Sequence, residues 1–158
     1  MPSDTFLKLG DIKGESIDSK HKGEIEISSW SWGVSNAGSI GMGSGGGTGK
    51  ASFHDLSFAH TVDKASPTLL LACSKGTHFP EATLTARKSG GGQQEFIIMK
   101  LTEVLVTSVQ LGGGDGSAQE SVTLQFGKVE LEYSPQKPDG SLDAAVSYKY
   151  NIAENVAF

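Results

Sequence analysis

A chain of 158 residues can bury one sizeable hydrophobic core without disulfides or metals, so a single domain over 1–158 is expected. With 37% hydrophobic and 20% charged residues the composition is neither disordered nor membranous, and 21 glycines suit loops between short strands. The net charge of -5 comes from scattered acids, with no basic run interleaved with aromatics, which argues against nucleic acid as a partner; the single cysteine, Cys73, excludes an internal disulfide and a cysteine-based metal site.

Residues Met1 to Gly14 carry no apolar stretch of signal-peptide length, and no later segment approaches a membrane-spanning run, so the chain is expected to fold where it is made, without stable membrane insertion. Period-two alternation then predicts mostly strands. Thr5 to Leu9 places Leu7 and Leu9 on one face. Glu24 to Val34 reads as one longer strand with Trp30 and Trp32 on one side and Ser29 and Ser31 on the other. Ala51 to His60 changes phase, which predicts a bend near Asp55.

One helix is expected next. Ser66 is the predicted cap, Pro67 the first helical residue, Thr68 to Ser74 the body and Gly76 the left-handed stop, with Leu69, Leu70, Ala72 and Cys73 packed on a sheet. Thr83 to Lys88 is a strand; Glu95 to Leu111 is too long to be a flat one and is expected to bend or change partner. Glu120 to Tyr133 slips phase by one residue, which predicts a bulge at Gly127, and Val146 to Ile152 is the last strand. Gly90 to Gly92 and Gly112 to Gly116 have hairpin lengths, while Gly38 to Gly49 is a long loop of the kind that is functional or disordered.

Gly41, Gly43 and Gly46 match G-x-G-x-x-G, and Gly49-Lys50 is similar to part of a phosphate-binding loop. The context disagrees: Ser44 stands where such a loop needs glycine, Ala51 where it needs Ser or Thr, and a strand follows rather than a helix. His54, Asp55, Ser57 and His60 contain the residue types of a nucleophile, base and orienting acid, but alternation along a strand sends Asp55 and Ser57 away from His54 and His60. His21 and His78 read as surface residues, and a Cys73–His78 thiol site is disfavoured because the cysteine belongs to an apolar helix. Glu24, Glu26, Glu81, Glu95 and Glu103 read as solvated strand faces. The residues alone give a mainly β domain with no catalytic, cofactor or metal site; a small hydrolase or nucleotide-binding enzyme is the competing class.

Several segments, in order, carry a resemblance: FLKLGDIKGES from Phe6, EIEISSWSWGVS from Glu24, the glycine loop ending in GKASFHDLSF, VDKASPTLLLACSKGTHFPEATLTARKSGG from Val62, LTEVLVTSVQLGGG from Leu101 and ESVTLQFGKVELEYSPQKPDGS from Glu120. With SWSWG, DKASP and YSPQKPDGS in this order, the chain resembles the haemolysin-coregulated protein (Hcp) family of type VI secretion systems from end to end. The resemblance implies a β-barrel of two packed sheets with one short flanking helix and a long glycine-rich extended loop. It implies a hexameric ring, stacked with others into a tube that a contractile sheath expels from the bacterial cytoplasm without a cleaved signal peptide. The partners it implies are further copies of the chain, a spike protein at the tube tip, the sheath and baseplate, and effector proteins in the lumen. On that basis Ser29 and Ser31 are expected to face the lumen, and Ser35, Ser39, Met42, Ser44 and Lys50 to form a ring-contact loop.

Overall fold

The computed structural model describes residues 4–38, 50–88 and 92–158. The first strand, β1 (Asp4–Leu9), puts Leu7 and Leu9 in the core, as its alternation requires, while Phe6 on the opposite face is also buried. A long loop follows. The expected strand from Glu24 to Val34 is instead three short ones: β2 (Ile25–Glu26), β3 (Ser29–Ser31) and β4 (Val34–Asn36). Each has a different partner, which is why one continuous alternation breaks into three. β2 pairs β1, β3 pairs β6 (Leu56–Thr61), and β4 pairs β5 (Ala51–Phe53) as a separate two-stranded ribbon. The break between β5 and β6 falls at His54 and Asp55, where the phase change predicts it.

The helix, α1 (Ser66–Lys75), ends at Gly76 in the left-handed conformation (φ 67°), as expected. Its start differs. Ala65 is the capping position, and the Ser66 hydroxyl accepts a hydrogen bond from the Asp63 amide behind it rather than from the helix. Leu69 and Ala72 are buried and Cys73 packs at the core rim, whereas Leu70 and the neighbouring Leu71 are exposed.

β7 (His78–Arg87) begins before the expected Thr83, and β8 (Glu95–Gly114) and β9 (Ser117–Tyr133) form one long antiparallel hairpin. Its tip is Asp115-Gly116, both at positive φ (53° and 79°), the backbone that a two-residue primed turn demands. β8 changes neighbours as predicted: β7 flanks it as far as Leu105, and among the described residues no strand does so beyond. β9 also changes neighbours, pairing β6 through Gln119 to Leu124 and β10 (Val146–Asn151) through Lys128 to Tyr133. The chain ends in β11 (Val156–Ala157) against β10.

The bulge expected at Gly127 lies elsewhere. Register with β8 shifts between Val106 and Ser108, at Thr107, and is unbroken at Gly127. The one-residue phase slip there is shared by three strands. Leu101 and Val104 are both buried although three apart, as are Phe126 and Val129, and Glu103 between the first pair sits at φ 59°. Glu103 faces Gly127 on one side and Pro80, which has no amide to donate, on the other. Pairing continues across these positions while the buried faces exchange.

The main sheet has nine strands, in the order β11-β10-β9-β8-β7-β1-β2, with β6 paired to β9 and β3 to β6. The ladder does not close as a continuous barrel. The segment from β2 to β3 bridges its margins instead, with the Ile27 amide donating to the Thr5 carbonyl (2.9 Å) and the Ser28 amide to Ala59 (2.9 Å). The curled sheet and α1 enclose one cluster that includes Leu7, Ile25, Leu56, Leu69, Leu84, Leu101 and Leu124, all fully buried. Burying each such side chain stabilises by about 2 kcal/mol.

Candidate functional surface

β3, β6 and β9 lie side by side and alternate in step. Trp30 opposes Phe58 and Phe58 opposes Val122 on the inner side; on the outer side Ser29 opposes Ala59, Ser31 opposes Ser57, Ala59 opposes Ser121 and Ser57 opposes Thr123. Ser29 and Ser31 are exposed, and these outer residues line one broad shallow groove. Small hydroxyl side chains make it wettable and leave it open, a surface without a recognition pocket.

Beside it stands the β4–β5 ribbon, where Ser35 is a paired strand residue opposite Ser52 rather than part of a loop. Its root is fixed. The Trp32 indole donates to the His54 carbonyl (2.8 Å), the His54 amide to Gly33 (3.0 Å), and Phe53 packs on Tyr150 with ring centroids 4.9 Å apart. Lys50, exposed, precedes β5, so a strand and not a helix follows the glycine segment. Ser39, Met42 and Ser44, with Gly41, Gly43 and Gly46, lie outside the described residues.

Of the four candidate catalytic residues, His54 and Asp55 share one recess with His78 and Glu103, although alternation was expected to separate them, while the other two lie elsewhere. Asp55 accepts a hydrogen bond from Thr107 at the bulge (2.7 Å), Ser57 belongs to the outer groove, and His60 is completely buried. His78 is exposed at the start of β7, while Cys73 sits against the core. Among the described residues no three His, Cys, Asp or Glu side chains gather to hold a metal ion.

Three polar clusters escape a linear reading. His60 Nε2 lies 2.6 Å from Glu120 Oε1 with both side chains fully buried, and His60 Nδ1 is 3.7 Å from Asp63. The signal is present in the sequence: both residues continue the inward phase, of Leu56 and Phe58 and of Leu124 and Val122. His21, expected at the surface, is buried: Glu24 (3.0 Å) and Glu95 (2.8 Å) flank its ring nitrogens, and it stacks on Phe6 with centroids 4.5 Å apart. Glu24 and Glu95 are therefore structural partners rather than solvated faces. Arg87, 2% exposed, donates to Asp18 (2.8 and 3.1 Å) and Asp4 (2.9 Å) and lies over Phe6. Hydrogen bonding from Arg87 holds the Asp18 carboxyl below the usual carboxylate range against the opposing pull of desolvation, and the Lys20 and His21 amides add to it.

The model of the family described as type VI secretion system effector, Hcp, matches residues 6–133. The chain belongs to the Hcp family. It is 51% identical to Protein hcp1 of Pseudomonas aeruginosa, with 99% of each chain covered. Two solved structures share its fold: one described as a type six secretion system protein (TM-score 0.91, 32% identity, 98% of this chain and 99% of that one), and Hcp1 from Salmonella typhimurium (TM-score 0.80, 35% identity, all of both chains).

Proposed function

We propose that this Hcp-family chain is a non-enzymatic tube subunit of a type VI secretion machine, forming hexameric rings that stack and carry effectors in their lumen. The end-to-end 51% identity to a curated Hcp protein carries the reading. Expulsion by the contractile sheath takes the tube from the bacterial cytoplasm to the medium or a target cell, and the spike protein and baseplate are its other partners. Beyond Leu105 β8 has no flanking strand on that side among the described residues, which supports ring closure, because an unpaired strand edge is protected by a neighbouring subunit. Ser35 and Lys50 belong to the ring-contact arm in this reading. Sedimentation and native mass spectrometry of purified protein are expected to show a ring of six; a monomer that persists at high concentration overturns the assignment.

The outer groove is the lumen wall in this reading, with Ser29 and Ser31 facing the cargo. Ser31→Gln adds a longer polar side chain to a surface that packs against nothing in the monomer, so stability should change by no more than about 0.5 kcal/mol. The set of co-purifying effectors should change. Identical effector retention together with intact rings would remove Ser31 from the lumen.

A further inference from the structure

Four lysines that are scattered in the sequence, Lys8 on β1 and Lys13, Lys20 and Lys22 on the following loop, line one recess of about 300 Å³. All four are exposed, and none forms an ion pair among the described residues. Glu24 is the only carboxylate in the lining, and it is engaged by His21. The basic patch that a linear reading does not find is thus made by folding, on a chain of net charge -5.

The loop that presents the lysines is held in place. The Gly14 amide donates to Gly23 (2.8 Å), the Gly23 amide to Ser16 (2.8 Å) and the Ser16 amide to Glu24 (3.1 Å), while Asp18 accepts from the Lys20 amide (3.0 Å) and from Arg87. Only side-chain freedom remains to be lost on binding. Like charges around one concave site repel each other, and an acidic partner relieves that repulsion.

The same chain carries a recess of matching size and opposite sign. Glu15, Glu26 and Asp63 line a space of about 340 Å³ that no lysine or arginine enters. Glu15 and Glu26 form no ion pair among the described residues, though Glu15 accepts from the Lys64 amide (2.8 Å), and Asp63 accepts from the Ala65 amide (2.9 Å) and lies 3.7 Å from the buried His60, so no lysine or arginine neutralises these three acids. We infer that the lysine recess of one copy docks on the Glu15, Glu26 and Asp63 recess of a second copy, in a head-to-tail contact. Each copy then gives one surface and receives the other, the arrangement that repeats along an assembly. The inference rests on the tube reading and assigns one of its contacts.

The test mixes isotopically light and heavy wild-type protein, joins lysines to nearby carboxylates with a water-soluble carbodiimide, and maps the linked peptides by mass spectrometry. Amides between a light peptide holding Lys13, Lys20 or Lys22 and a heavy peptide holding Glu15, Glu26 or Asp63 are expected, at a yield that falls several-fold in high salt. Links confined to single copies, or between copies at other acids, overturn the inference. Sedimentation of the same sample separates the two claims: rings without these links sink only the contact, whereas a monomer at every concentration sinks the tube reading as well.

Discussion

Glu120→Ala is expected to lower the stability of the fold by about 3–5 kcal/mol, because it leaves His60 fully buried opposite an empty site. The pair sits on neighbouring strands, β6 and β9, with no exposure on either side chain, and the carboxylate left near His60, that of Asp63, lies 3.7 Å from the other ring nitrogen, beyond hydrogen-bond distance. Desolvation sets the magnitude. A 2.6 Å hydrogen bond offsets the cost of burying two polar groups only while both are present. Replacing both, as His60→Leu with Glu120→Leu, removes the desolvation and the bond together and should recover most of the loss. Glu120→Gln, which keeps the volume and one hydrogen bond, should fall between. Urea unfolding midpoints at one fixed protein concentration check the order, since assembly raises apparent stability. A Glu120→Ala midpoint within about 1 kcal/mol of wild type would show that the pair contributes little.

The strands were legible wherever one face meets the core and the other meets water. Leu7 with Leu9, and Phe58 with Leu56, are buried as period two requires, and the Gly76 stop of α1 is where its residue type places it. Partner changes were less legible. Nothing local separates Ile25 from Trp30, yet one pairs with β1 and the other with β6, since the choice depends on strands distant in sequence. The phase slip at Gly127 was visible, but its setting was not: the left-handed Glu103 and the amide-less Pro80 that lie across from it belong to two other strands, and register continues past all three. The outward faces of Ser29 and Ser31 follow from the alternation with Trp30. The lysine recess does not, because Lys8 and Lys22 become neighbours only when the intervening loop folds back.

Gly14→Ala should detach that loop. A methyl group there would stand 2.5 Å from the Glu24 carbonyl oxygen and 2.8 Å from both the Glu24 carbonyl carbon and the Ile25 Cα, all of them backbone atoms at the entry to β2. No side-chain rotation relieves such a contact, so the loop must move away from β2 at a cost of about 1–3 kcal/mol. The move reaches beyond the clash, because the same loop delivers Asp18 to Arg87 and His21 to Phe6 and Glu95. Gly112→Ala, where an added carbon meets nothing within 4 Å and φ is not positive, is the matched control and should be near neutral. Hydrogen exchange reads the difference directly. The backbone amides at positions 14, 16 and 23, all donors within the loop, should exchange faster in Gly14→Ala and stay protected in Gly112→Ala. Wild-type protection of all three amides in a Gly14→Ala protein of unchanged stability would mean that the loop tolerates the methyl group, and that its close approach to β2 is not what holds it.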